Sequence, residues 1–246
     1  MKSVGIIGFG RFGKILASIL QKGYSISVYD IKDTTSTSNV NFCSLDKVLE
    51  EQAIFIAVPI RNFKPLIKDI SPKLKNGTTL IDVCSVKSYP VDVMLKYVRK
   101  DIGIIATHPM FGPDSFTTNT KLKMMMSNVR DPHSLFIQWS DYFSNQGIDI
   151  IEMSPDAHDR LAARSQGITH FLGRMLKQFG IKKTQIDTQG FKDLLDLVEQ
   201  TCNDTWDLYT DLQLFNPYTL GTISELRKST ESLDKQLRKI KNVEKR

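Results

Sequence analysis

Cysteine is scarce in this chain: three in 246 residues, at positions 43, 84 and 202, with no CxxC pair. An odd, widely spaced set excludes a disulfide framework and a thiolate zinc site, and fits reduced thiols. The four histidines stand in no metal-ligand spacing with one another or with cysteine, so no metal is expected. No apolar run approaches the roughly 20 residues that cross a bilayer. Val4-Gly5-Ile6-Ile7-Gly8 begins almost at once, with no basic segment, apolar leader or cleavage site ahead of it. The expectation is a cytoplasmic protein without membrane contact. The net charge of +6 comes without aromatic stacking motifs or a zinc finger. Much of it lies in Arg227-Lys228 and from Lys235 to Arg246, alternating with Glu231, Asp234 and Glu244 as on a solvated helix face. Nucleic acid is therefore excluded as a partner. The charge reads instead as a general attraction for anionic ligands.

What remains is ordinary globular composition, 41% hydrophobic and 24% charged, without repeats or low-complexity tracts. Short β-rich runs alternate with helical patterns up to about residue 150, the signature of a doubly wound parallel sheet. Strands are expected at Ser3–Ile7, Ser25–Tyr29, Ala53–Val58, Thr79–Val83 and Gly103–Thr107, with weaker ones at Lys121–Ser127 and Ile148–Glu152. Helices are expected at Phe12–Lys22, Ser44–Gln52, Asn62–Ile70, Tyr89–Arg99 and Pro132–Gln146. From Ser154 the strand signal disappears. Ser154-Pro155-Asp156 reads as a helix start, with a continuous helix running to Phe179, then helices over Phe191–Phe215 and Pro217–Lys241. The layout is a Rossmann-type domain over 1–152 and an all-helical domain over 153–246. Leu195, Val198, Trp206, Leu208, Leu212, Leu214, Phe215, Leu220 and Ile223 exceed what one small bundle buries, so a homodimer through these helices is expected.

Gly8-Phe9-Gly10-Arg11-Phe12-Gly13 is a GxGxxG run between a strand and a helix, the context in which this motif binds a dinucleotide. The first glycine makes the tight turn, the second admits the pyrophosphate and the third lets helix and strand pack closely. Asp30 ends the second strand, where an acid hydrogen-bonds the adenine ribose hydroxyls and repels a 2′-phosphate. NAD is therefore expected, with NADP possible through Lys32. Val58-Pro59 is a further strand end facing the cofactor, or simply a strand terminator.

His108 opens His108-Pro109-Met110-Phe111-Gly112-Pro113-Asp114-Ser115, directly after a strand. Ligands of such sheets bind at the carboxyl ends of strands, and histidine titrates nearest to working pH. Ser85, in Asp82-Val83-Cys84-Ser85-Val86-Lys87, follows another strand; it reads as a substrate-orienting hydroxyl or as a helix cap. In the helical part, Gln166 and His170 lie four residues apart on one face, as a satisfied core pair or as a pair facing a substrate.

SVK, HPMFGPDS and HDRLAARSQGITHFLGRML together resemble the prephenate/arogenate dehydrogenase family of tyrosine biosynthesis, over nearly the whole chain. THFLGRML, FKDLLDLVEQT and DLYTDLQLFNP are similar to the plant-type arogenate enzymes. The resemblance implies oxidative decarboxylation of a cyclohexadienol, with hydride transfer to a nicotinamide cofactor. It makes His108 the acceptor of the hydroxyl proton, Ser85 its orienting partner, and Gln166 and His170 ligands of the carboxylate end. No metal is implied, because aromatisation drives the reaction. Thr201 and Asp204 match positions associated with the choice between arogenate and prephenate. An aspartate pairs with the arogenate ammonium and repels the keto group of prephenate.

Two departures accompany the resemblance. The carboxylate-clamping arginine of many bacterial members is replaced by Asp196, leaving Arg160, Arg164 and Arg174 as candidates. Plant-type members favour NADP, whereas Asp30 favours NAD. No chorismate mutase or ligand-sensing segment is present, so one activity is expected. The competing readings are a β-hydroxyacid dehydrogenase, which needs a lysine beside an asparagine on the helical part, and a non-catalytic NAD-binding protein on the same fold.

Overall fold

The computed structural model describes residues 3–32, 40–112, 116 and 121–243. Pro113, Asp114 and Ser115 of the histidine segment, and the last residues of the basic tail, lie outside the described residues. The order is β1 (Ser3–Ile7), α1 (Arg11–Leu20), β2 (Ser25–Tyr29), β3 (Asn41–Phe42), α2 (Leu45–Val48), β4 (Ala53–Ile56), α3 (Ile60–Ile70), β5 (Thr79–Asp82), α4 (Ser88–Tyr97), β6 (Gly103–Pro109), β7 (Leu122–Arg130), α5 (Phe136–Asn145) and β8 (Ile148–Glu152). Helices α6 (Pro155–Ala162), α7 (Ile168–Phe179), α8 (Gln189–Cys202), α9 (Trp206–Phe215) and α10 (Thr219–Val243) follow. Contacts divide the chain into two compact units, Met1–His158 and Asp159–Arg246.

The first unit is one eight-stranded sheet in the order β3-β2-β1-β4-β5-β6-β7-β8. Its central strands are continuous apolar runs, such as Ala53-Ile54-Phe55-Ile56, buried at every residue. That is what a parallel sheet covered on both faces requires. Strand order reverses between β1 and β4, so the carboxyl ends of these two strands form the switch point where ligands of such sheets bind. All pairs are parallel except β6 with β7. One side of the core is aromatic: Phe55 meets Trp139 edge-on at 4.9 Å, and Tyr24 and Phe143 pack on the same indole. Each such buried ring contributes roughly 1.5–3 kcal/mol.

The architecture is the expected Rossmann-type sheet followed by helices, with local differences. The helix expected over Ser44–Gln52 is the single turn Leu45–Val48, and the one expected from Pro132 starts at Phe136. The two-residue strand β3 has no signal of its own; it pairs with β2 at Ser27 and Val28. Strand β6 continues through His108 to Pro109 because β7 pairs with it there, Met125 opposite His108. The helix expected from Ser154 to Phe179 contains a π-helical turn at Ala163–Gly167. The single helix expected over Phe191–Phe215 breaks after Cys202, because the Thr205 side chain accepts a hydrogen bond from Leu208 N–H and caps a new helix. Among the described residues, no helix is long and apolar enough to cross a membrane.

Candidate active site

The fingerprint loop leaves β1 at Gly8, whose φ of +100° is the left-handed conformation that favours glycine. Its N–H donates to Tyr29 O at 2.8 Å. A Cβ on Gly8 would stand 2.5 Å from the Ala57 carbonyl oxygen, and one on Gly13 would stand 2.3 Å from the Gly8 carbonyl oxygen. Those two glycines hold β1, β4 and α1 together. Gly10 differs: a Cβ there would meet nothing within 4 Å. Helix α1 starts at this open place with no side-chain cap and no acid in its first turn, the setting in which a helix N-terminus takes a phosphate. The residues fit a dinucleotide.

Asp30 is tied into the same loop. One carboxylate oxygen accepts from Phe9 N–H at 2.6 Å and the other from Lys32 N–H at 2.8 Å. Val58 sits behind Gly8, within 3.2 Å of where its Cβ would be, and Pro59 precedes α3 as its N-cap. Arg11 is exposed at the start of α1. Phe12 meets Phe111, of the histidine segment, at 6.1 Å between ring centroids. The fingerprint loop and the segment after His108 are thus in contact.

His108 is 5% exposed. Register places Asp82 of β5 beside Ala106 of β6, so Ser85 and His108 both lie just beyond the paired part of neighbouring strands, at the same edge. Ser85 is half-buried. Thr107 donates its hydroxyl to Asp82 O at 2.6 Å. Beneath them the fully buried Lys87 ammonium pairs with Asp82 and donates to the Thr107 carbonyl, the peptide oxygen immediately before His108. His108 Nδ1 lies 2.7 Å from His158 Nε2. Burial first, then the nearby His158 and Lys87, holds the His108 pKa well below an ordinary histidine. At neutral pH the ring is uncharged, the form a proton acceptor needs.

In the second unit the π-helical turn carries Gln166, and its final carbonyl, of Gly167, accepts from Gln213 Nε2 at 3.0 Å. Turns of this kind are frequent at functional sites. Gln166 Oε1 and His170 Nδ1 are buried without a hydrogen-bond partner among the described residues. His170 Nδ1 lies 3.9 Å from Asp204 Oδ2. Burial lowers the His170 pKa, against an opposing pull from Asp204.

Asp204 is brought there by the break between α8 and α9. Arg174 donates to its backbone carbonyl at 2.5 Å and stacks on Trp206 and Tyr209 of the new helix. Thr201 is buried against Gly173 and donates its hydroxyl to Leu197 O at 2.7 Å. It therefore locks α8 onto α7 two residues before the break. The three candidate arginines are occupied differently. Arg160 stacks on Tyr218, the exposed Arg164 pairs with Glu225 at 2.9 Å, and Arg174 holds the Asp204 corner. Asp196 is exposed on α8. Arg174, Trp206 and Tyr209 also line an open concavity of about 310 Å³, which does not include Gln166, His170 or Asp204 in its lining.

Residues 17–124 match the model of the prephenate dehydrogenase nucleotide-binding domain, and residues 175–246 match that of a TYRAAT1-like C-terminal domain. Arogenate dehydrogenase 1 (chloroplastic) of Arabidopsis thaliana is 34% identical over 95% of this chain, which spans 39% of that protein. Arogenate dehydrogenase 2 (chloroplastic) of the same plant is 31% identical over 95% of this chain, which spans 69% of it. The chain belongs to the prephenate/arogenate dehydrogenase family. Among solved structures, the prephenate dehydrogenase of Aquifex aeolicus, in complex with hydroxyphenyl propionate and NAD+, superposes with a TM-score of 0.77. That likeness covers 97% of this chain and 91% of the other at 19% identity, and it concerns the fold. The nucleotide-domain match spans Asp30, Val58, Pro59, Ser85 and His108; the C-terminal match spans Thr201 and Asp204.

The geometry adds two residues, His158 beside His108 and Lys87 beneath it, that local sequence does not mark. Nothing in a helix-start HDR marks its histidine as buried. For Lys87 the available signal was Asp82, five residues earlier at the end of a buried strand, where an acid requires a cation.

Proposed function

We propose that this chain catalyses the oxidative decarboxylation of arogenate to tyrosine with NAD as hydride acceptor. What carries the reading is the neutral, buried His108 at the strand-end edge, in contact through Phe111 and Phe12 with the dinucleotide loop. NAD, when bound, supplies the nicotinamide ring to which hydride from C4 of the substrate passes. His108 takes the proton of the C4 hydroxyl, which Ser85 orients. The C1 carboxylate then leaves as carbon dioxide, its bonding pair completes the aromatic ring, and the phenolate so formed takes back the proton held on His108, so atoms and electrons balance. Gln166 and His170 take the carboxylate end of the substrate through their unpaired buried atoms, and Asp204 pairs with the side-chain ammonium.

The test is reduction of NAD and of NADP, followed at about 340 nm where reduced nicotinamide absorbs, with arogenate, prephenate and a small hydroxyacid in parallel. We expect arogenate to be the best substrate and NAD to give the higher kcat/KM, because Asp30 repels a 2′-phosphate. Turnover of the hydroxyacid alone would overturn the reading. A clear NADP preference would move cofactor control from Asp30 to Lys32 or Arg11.

Helix α10 supports a homodimer through the C-terminal helices. Ile223, Leu226, Thr230, Leu233, Leu237 and Ile240 recur at alternating three- and four-residue steps, the spacing of a coiled-coil seam. Leu233, Leu237 and Ile240 are 60%, 67% and 57% exposed in the single chain. The flanking Asp234–Arg238 and Arg227–Glu231 pairs keep the rest of that surface polar. The double substitution Leu233→Lys/Leu237→Lys is expected to convert dimer to monomer in light scattering; an unchanged mass would remove α10 from the interface.

A further inference from the structure

His108 touches a second buried imidazole. The Nδ1-to-Nε2 distance to His158 is 2.7 Å, and the rings meet at 82° with centroids 4.9 Å apart. That is an in-plane hydrogen bond from one ring to the edge of the other, not a stack. Both side chains are almost wholly out of water, at 5% and 4% exposure. The backbone of His158 is fixed in turn by the first turn of α6, where its main-chain N–H donates to Ser154 O at 3.0 Å and Ser154 Oγ accepts from Ala157 N–H at 3.2 Å.

A neutral imidazole has one N–H and one bare nitrogen. When both rings are uncharged, one contact between them requires complementary tautomers. If His158 Nε2 donates, His108 Nδ1 accepts and the proton of His108 sits on Nε2, which then cannot take another. If His108 Nδ1 donates, its Nε2 is bare and available. The contact between the rings thus decides whether His108 is a base at all.

We propose that His158 is a positioning residue that accepts the hydrogen bond from His108 Nδ1–H, locking the ring angle and leaving Nε2 as the proton acceptor. The proposal rests on reading His108 as the base of the dehydrogenation. An imidazole in this place does something that a carboxylate does not. A carboxylate orients the base and also raises its pKa by stabilising the imidazolium. His158 orients it without adding a negative charge, so a buried base stays uncharged beside the Lys87 cation. When His108 accepts the substrate proton, the same bond becomes charge-assisted and shorter. Its strengthening therefore coincides with proton transfer.

The experiment combines two substitutions with one spectroscopic readout. Gln places an acceptor oxygen near the position of His158 Nε2, whereas Phe keeps ring bulk and has no acceptor. We expect His158→Gln to retain much more kcat than His158→Phe, whose kcat falls by roughly 10–100-fold, the usual loss for an orienting partner. The KM for NAD is expected to stay unchanged in both. A packing role predicts the opposite rank, Phe above Gln, and that result would overturn the proposal. Nitrogen-15 NMR of the wild-type ring nitrogens is practicable with four histidines, and His108→Asn and His158→Phe assign the pair. The expected spectrum has His108 protonated at Nδ1 and bare at Nε2; the reverse tautomer also overturns the proposal. Because that spectrum needs no turnover, absence of activity on arogenate and prephenate would refute the functional reading while the NMR still decides the role of His158.

Discussion

His108→Asn is expected to lower kcat by about two to four orders of magnitude, the range for a lost general base, while NAD binding stays nearly intact. Asparagine fills a similar space and can still hydrogen-bond a substrate hydroxyl, but it cannot take the proton. The proposed cofactor contacts lie elsewhere, on the Gly8–Gly13 loop and Asp30, so a binding titration with NAD separates chemistry from damage. The wild-type pH profile should carry the same signature. Burial, His158 and Lys87 all push the His108 pKa down. The sign follows directly: the neutral, active form is lost only when pH falls through that lowered value. The acid limb of kcat/KM is therefore expected well below 6.5, and to vanish with the asparagine variant. Turnover near wild type in His108→Asn, or an acid limb at or above 6.5, would remove His108 from the role of base.

Beneath the histidine lies the fully buried Asp82–Lys87 pair. Lys87 has no water to solvate it, and it holds the carbonyl of Thr107 as well as the carboxylate of Asp82. Breaking such a pair from one side leaves a buried charge behind, at a cost of about 3–5 kcal/mol. A histidine at the end of this strand is precise because its peptide neighbour is pinned in this way.

The first unit was legible in the sequence where single residues dictate backbone. Gly8, Gly10 and Gly13 each announce a steric demand, and the structure supplies a crowded Ala57 carbonyl, an open phosphate place and a crowded Gly8 carbonyl in turn. Buried apolar runs announced the parallel strands for the same reason, since only a covered sheet tolerates them. What stayed hidden depends on partners distant in sequence. His108 and His158 are fifty residues apart, and no local pattern says that two rings will share one proton. The π-helical turn at Ala163–Gly167 is likewise invisible, because its stabilising donor is Gln213. The break at Asn203-Asp204-Thr205 was readable in principle, as a threonine followed by helix formers is a cap. It was overridden by the apolar periodicity that runs through it, and the consequence lies at Asp204, which a continuous helix would not have presented as a corner.

That corner carries the second large effect. Asp204→Asn is expected to lose arogenate activity and gain prephenate activity. Arg174 grips the Asp204 carbonyl and stacks on Trp206 and Tyr209, so the corner itself survives a change of side-chain charge. His170 Nδ1, 3.9 Å from the carboxylate, has no hydrogen-bond partner among the described residues. Burial holds the His170 pKa down, so near neutral pH this ring sets no charge of its own against the carboxylate. Arogenate carries an ammonium where prephenate carries a keto group, and an unpaired, partly dried cation costs roughly 2–5 kcal/mol. The asparagine amide removes the carboxylate's attraction for one substrate and its repulsion of the other in a single step. General damage to the site lowers both activities together, so a crossing of the two kcat/KM values is specific to selection by charge. Steady-state kinetics with both substrates on wild type and Asp204→Asn decide it. A parallel fall, or a wild type that already prefers prephenate, would leave Asp204 a structural residue of the α8–α9 corner and move the choice of substrate elsewhere.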